Sequence, residues 1–138
     1  MCIRDRDYYK IADIITPNET EAEYMTGIKI SNLNDAKDAA SKLIAKGIKG
    51  CIITLGENGA LYKSNDNQEI FYEPHKVDKV RASVAAGDAF TGILGASIAS
   101  GISLDESIKY AIVGSAISVT RYGAQESMPK YEEIIKAL

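Results

Sequence analysis

The sequence has no tryptophan, only two cysteines and a single histidine among its 138 residues. Two thiols, Cys2 and Cys51, cannot build a disulfide framework, and with His75 alone beside them they fall short of a zinc-ligand cluster. They are expected to be reduced thiols of a cytoplasmic protein, and His75, in a polar stretch, is expected at the surface. Basic charge is scarce as well. Lys and Arg number 16 against 19 Asp and Glu, so the net charge is -3 and no basic face is available for nucleic acid. Long apolar runs are missing: Tyr110 to Val119, the longest towards the C-terminus, is about half of what a bilayer crossing requires. The opening MCIRDRD mixes charges where a signal peptide would place apolar residues. Nucleic acid and membrane are therefore excluded as expected partners. What remains is the composition of an ordinary globular protein, 46% hydrophobic and 25% charged. Its length suits one domain with a real core better than two.

The pattern along the chain is α/β. Residues 1–11 show no periodicity and read as a separate N-terminal stretch. The run ADIIT stops at Pro17 as a buried strand would. A helix signature follows, with Thr16 as N-cap, Pro17 at the first helical position, Glu19 three residues after the cap and Gly27 as the stop. NLNDAKDAASKLIAKG predicts a second helix, with Leu33, Ala36, Ala40, Leu43 and Ile44 on one stripe and Gly47 closing it. GCIITLG predicts a buried strand ending in the turn GENG; ALYKS, NDNQ and EIFYE then read as strand, turn, strand, and KVDKV as one further strand. From Asp88 to Ser100 the pattern is helical, and Gly92, Gly95, Ala96 and Ala99 give that helix a small-residue face open to a neighbouring backbone. Ser103 and Glu106 predict a capping box for a helix running to about Tyr122, and YEEIIKAL a last short one. Strands adjoining helices imply parallel pairing through helical crossovers, with antiparallel strands added by the middle hairpin.

Four segments could carry chemistry. SVAAGDAFTG places Asp88 in the first turn of a helix behind Ala85, Ala86 and Gly87, residues small enough to leave the backbone amides open to a phosphate. A carboxylate there could take a proton from a hydroxyl attacking that phosphate; equally, an acid in a first helical turn is favoured by the dipole alone. TLGENG, Thr54 to Gly59, ends a strand in a turn that could approach a nucleotide, and a tight turn explains both glycines equally well. NETE supplies Asn18 and Glu21 to a helix start, for capping or for a hydrated magnesium ion beside a triphosphate. TRYGAQES places a helix end near Gly123, whose carbonyls could meet water or a monovalent cation.

In this order, DIITPNETEAEYMTG, IITLGENGALY, AAGDAFTG and AISVTRYGAQESMP resemble the C-terminal half of the ribokinases in the PfkB carbohydrate kinase family. The resemblance spans residues 12–138 and implies a ribokinase-like layered α/β fold: a mostly parallel sheet flanked by helices, with a few antiparallel strands and truncated at its N-terminal side. It implies ATP-dependent phosphorylation of a sugar hydroxyl, foremost D-ribose to D-ribose 5-phosphate. Asp88 then matches the catalytic base, also touching the sugar, and Ala85, Ala86 and Gly87 match the anion hole. Asn18, Thr54, Leu55, Gly56, Glu57, Asn58, Gly59, Gly87, Asp88 and Ile112 match nucleotide-binding positions. Glu21 matches the residue that organises Mg2+ indirectly. Val84, Ser118, Arg121, Gly123 and Ser127 match positions around an activating K+ ion, held mainly through backbone and hydroxyl oxygens.

Two departures accompany the resemblance. Where the family pattern has a cation-site Asp, this sequence has Ala82, next to Arg81. The glycine-rich sugar-contacting motifs and the small β lid have no counterpart, so the sequence reads as a fragment or a gene model with a spurious start. The alternatives are an ATP-binding fragment that transfers nothing and a PfkB kinase for another sugar or nucleoside. Full-length family members are often homodimers, largely through the lid, and no oligomer is assigned here.

Overall fold

The computed structural model describes residues 12–138. The described residues divide into two compact units, 12–73 and 74–138. Among the described residues no helix is long and apolar enough to cross a membrane.

The first unit is a four-stranded sheet in the order β1-β2-β3-β4, formed by β1 (Ile14–Ile15), β2 (Gly50–Thr54), β3 (Ala60–Ser64) and β4 (Glu69–Tyr72). Helices α1 (Glu19–Thr26) and α2 (Leu33–Ala45) lie in the crossover between β1 and β2, which are parallel, with Ile14 opposite Gly50. The later pairs, β2 with β3 and β3 with β4, are antiparallel. The sheet of this unit is therefore mixed rather than mostly parallel. Short connections of a few residues can only reverse a strand, whereas the parallel pair needs a long crossover.

Alternation fails along β2 because both its faces are covered: Gly50, Cys51, Ile52 and Ile53 are all buried. Helix α2 packs on β2 and β3 through Ala36, Ala39, Ala40 and Leu43, close to the predicted stripe. Three alanines let the helix axis approach the sheet, and Leu43, Ile53 and Leu61 fill the space between. Cys51 is part of this core, and burial pushes its thiol up to about 12, the state of an inert thiol. Cys2 and residues 1–11 lie outside the described residues.

The second unit is helical. Helices α3 (Ala86–Ala99) and α4 (Leu104–Ser118) pack together, and α5 (Tyr131–Ala137) packs on α4. Gly101, at φ 85°, ends α3 in a Schellman turn: Ile102 N–H donates to the Ser97 carbonyl at 3.1 Å and Gly101 N–H to the Ile98 carbonyl at 3.0 Å. The close approach expected at Gly92 and Gly95 occurs elsewhere. A Cβ at either would meet no described atom within 4 Å, whereas one at Gly114 of α4 would overlap Ile93 and crowd Ile134.

Four further expectations are corrected. The N-cap of α1 is Asn18, not Thr16: the helix starts at Glu19, and Asn18 Oδ1 accepts from the Glu21 amide. KVDKV forms no strand. Helix α4 stops at Ser118 rather than near Tyr122, so Gly123 is not its end but a loop residue at φ 90°. The Ser118 and Thr120 hydroxyls donate to the Ser115 and Ile117 carbonyls, which satisfies the helix end early. His75, expected at the surface, is half-buried.

Candidate active site

In the first unit the two motifs that follow parallel strands converge. Thr54 N–H donates to the Pro17 carbonyl at 3.0 Å, and Asn18, beyond β1, forms a parallel bridge with Thr54, the last residue of β2. This is the carboxyl end of the parallel pair, the side on which open α/β sheets take ligands. Asn18 and Glu21 form a reciprocal capping box: Asn18 Oδ1 accepts from Glu21 N–H at 2.8 Å and Glu21 Oε2 accepts from Asn18 N–H at 3.0 Å. The capping explanation of NETE is thus present in full. It also fixes the Glu21 carboxylate at a helix N-terminus and occupies Oε2 alone, leaving an exposed acid in a defined place.

Leu55 to Gly59 forms the neighbouring turn. Leu55 is buried and anchors it; Gly56, Glu57 and Asn58 form an exposed 3-10 turn. Leu55 N–H donates to the Gly59 carbonyl and Asn58 N–H to the Leu55 carbonyl, each at 2.9 Å, so the turn is closed by its own backbone. Gly56 at φ 56° and Gly59 at φ 99° adopt left-handed backbone that side-chain-bearing residues avoid. Turn geometry accounts for both glycines.

In the second unit α3 begins at Ala86 with Ala85 as an N-cap that has no side-chain hydrogen bond. Ala86 N–H donates to the Ser83 carbonyl at 3.3 Å, a long bond. Ala85 is buried and anchors the turn, while Gly87 and Asp88 are exposed in the first helical turn. Gly87 resembles Gly92 and Gly95 further along α3 and differs from Gly56 and Gly59. Its φ is outside the left-handed range and a Cβ there would meet no atom within 4 Å, so neither backbone strain nor packing requires glycine. The arrangement is an uncapped helix N-terminus, an open approach to its amides, and one carboxylate beside them. Such a terminus attracts phosphate through its unpaired N–H groups and dipole. Ile112, on α4, is half-buried, and its carbonyl accepts the Ser115 hydroxyl at 3.0 Å.

The residues matched to a cation site also lie in this unit. Ser118 and Ser127 are buried, their hydroxyls donating to the Ser115 and Ala124 carbonyls at 2.7 Å each. Val84 is 84% exposed, Arg121 pairs with Glu133, and Gly123 lies against the Glu126 side chain. Hydrogen bonding from Arg121 first, and from Lys130 N–H second, holds Glu133 below the usual carboxylate range. Two contacts had no signal in the sequence. The Val119 carbonyl accepts both Arg81 N–H, at 2.7 Å, and Ala82 N–H, at 3.2 Å. The Arg81 guanidinium lies 5.4 Å from the centre of the Tyr122 ring. Both join segments nearly forty residues apart (81–82 and 119–122), which no local pattern announces.

Among the described residues no group of three His, Cys, Asp or Glu side chains converges as a metal cage. The site fits magnesium only in the mode of one exposed carboxylate, Glu21, acting through water and substrate phosphates, which is common for that ion. At the positions matched to potassium, Ala82 offers no side-chain oxygen and the Ser118 and Ser127 hydroxyls donate to carbonyls of their own turns.

Residues 4–131 match the model of the pfkB family of carbohydrate kinases. The chain is 39% identical over 125 residues to a ribokinase of Staphylococcus aureus, covering 90% of this chain and 40% of the relative. It is 36% identical over 129 residues to a deoxyribokinase of Salmonella typhi, covering 94% of this chain and 42% of the relative. The Arabidopsis thaliana ribokinase solved with ribose and ATP superposes with a TM-score of 0.90 at 26% identity, over 96% of this chain and 43% of that one. The chain therefore spans about 40% of the length of the relatives it matches. The fold is ribokinase-like. On the family match, which covers most of its length, the chain belongs to the pfkB family of carbohydrate kinases.

Proposed function

We infer that this chain carries the nucleotide-binding and phosphoryl-transfer part of an ATP-dependent sugar kinase, with a pentose such as D-ribose as acceptor. The observation that carries the reading is the start of α3, where Gly87 leaves the approach to an uncapped helix terminus open and Asp88 stands exposed beside it. A hydroxyl oxygen of the sugar attacks the γ-phosphorus of ATP. The new P–O bond forms as the bond to the β,γ-bridging oxygen breaks, ADP leaves with that electron pair, and the hydroxyl proton passes to the Asp88 carboxylate. The amides of residues 85–87 stabilise the charge on the transferred phosphoryl group, with Ala86 N–H exchanging its long bond to Ser83 for the phosphate. Asn18 and the turn Thr54–Gly59 would receive the nucleotide, and Glu21, fixed by its cap, would hold the water shell of a magnesium ion. When bound, magnesium neutralises charge on the phosphate oxygens. The relatives are a ribokinase and a deoxyribokinase, so ribose and 2-deoxyribose are the first acceptors to compare.

The test is calorimetric titration of the chain with Mg-ATP, followed by assay of ADP formation with each sugar. Mg-ATP is expected to bind, and Gly87→Val, which fills the approach to the amides, to weaken it. Asp88→Asn is expected to leave Mg-ATP affinity nearly unchanged and to lower turnover by about 10²- to 10⁴-fold. Retained turnover in Asp88→Asn would sink the base assignment. Binding without turnover in the unaltered chain would favour nucleotide binding alone as its activity.

A further inference from the structure

The resemblance implies a monovalent cation between the segment that leads into α3 and the loop that follows α4. In this chain those two segments are already tied together. The Val119 carbonyl accepts from the amides of both Arg81 and Ala82, and the Arg81 guanidinium lies over the Tyr122 ring. The usual inducements for a cation are weakened at the same place. Ala82 has no side-chain oxygen, the Ser118 and Ser127 hydroxyls are turned to carbonyls of their own turns, and a second fixed positive charge, Arg121, stands in the loop paired with Glu133. The remaining carboxylate of the loop, Glu126, is exposed and lies against Gly123.

We propose that Arg81 replaces the monovalent cation in this chain, its guanidinium and backbone clasping the loop 119–123 so that the α3 terminus is positioned without potassium. A guanidinium is suited to the exchange. It stays charged at any working pH, it stacks on an aromatic face, and being covalently attached it needs no cage of oxygens. The substitution pattern has a consistent logic: a carboxylate at position 82 would attract an ion, whereas an alanine there beside an arginine supplies the charge from the chain itself. Arg81 acts here as a positioning residue, through the loop and the helix terminus rather than on the substrate.

The experiment is thermal melting of the full chain, and its titration with Mg-ATP, in potassium chloride and in tetramethylammonium chloride at equal ionic strength. The unaltered chain is expected to give the same melting midpoint and affinity in both salts. Arg81→Ala and, separately, Tyr122→Leu should each lower the midpoint and weaken Mg-ATP by about two- to five-fold in both salts, the range of a cation–π contact. Both side chains are exposed, so neither change removes core packing. Arg81→Ala combined with Ala82→Asp should make both readouts respond to potassium. A selective potassium response in the unaltered chain overturns the proposal, as does an Arg81→Ala variant unchanged in both readouts. The affinity arm rests on the nucleotide reading above, whereas the melting arm does not. Absence of Mg-ATP binding with an intact melting pattern therefore counts against that reading and not against the clasp.

Discussion

At the scale of single residues, the same atoms serve the fold and the proposed chemistry. Asn18 and Glu21 satisfy each other's backbone amides, yet the bond that caps the helix also holds Glu21 as a fixed, exposed acid. The substitutions separate these roles. Asn18→Ala removes the acceptor and is expected to cost about 0.5–2 kcal/mol, read as a lower melting midpoint. Asn18→Asp keeps an acceptor for the Glu21 amide and should retain most of the stability; equal losses in both variants would contradict a capping role. The pair was legible because a side-chain oxygen followed three residues later by Glu is a local signal. The position of the cap was not, since Thr16 and Asn18 are both good caps and the choice depends on where β1 releases the chain. Likewise, the sequence could not distinguish Gly87 from Gly56. Only their backbone angles and surroundings separate a glycine that a turn requires from one that neither turn nor packing requires.

At the scale of elements, hydrophobic pattern and punctuation were sufficient for most helices and strands, including the α2 stripe and the antiparallel strands after GENG. Where packing decides, they failed. A small-residue face on α3 suggested close approach there, but the contact is made by Gly114 on α4, between Ile93 and Ile134. Gly114→Val is expected to destabilise by about 1–3 kcal/mol, since three helices would have to part around the added atoms. Gly92→Val, where a Cβ meets nothing, should cost less than that; the comparison of the two melts is the check. The KVDKV stretch failed for the opposite reason: alternation supplies one face but no partner, and no described strand pairs with it. The end of α4 was misjudged because hydroxyls of Ser118 and Thr120 turn back on the helix, a choice that residue type permits but does not impose.

At the scale of the whole molecule, each of the two units contains a depressed carboxylate. In the first, Glu69 on β4 accepts from Lys63 of β3 and from Lys37 of α2, each at 3.0 Å, and these bonds lower its pKa, Lys63 most. In the second, Glu133 is lowered chiefly by Arg121. A carboxylate with a lowered folded pKa contributes stability that is present above its unfolded value, about 4.3, and is lost as pH falls through the folded value. The melting midpoint is thus expected to be insensitive to these groups from neutrality to about pH 5 and to fall below that. Glu69→Gln and Glu133→Gln should each lower the midpoint near pH 7 and make the acid decline shallower. A decline unchanged in both variants would mean that other carboxylates govern it.

The sequence by itself determined the family, the element types and the short-range devices, because caps, turn glycines, apolar stripes and motif spacing are written within a few residues of one another. It also isolated Asp88 behind three small residues and exposed the exchange of an acid for Ala82. Tertiary structure alone decided which motifs meet. It brought Asn18 beside Thr54 across parallel strands, gave the close helix contact to Gly114, and set Arg81 on Tyr122 with the Val119 carbonyl between them. Contacts of that kind join residues tens of positions apart. Their energy depends on how whole elements pack, and no local pattern of residue types encodes it.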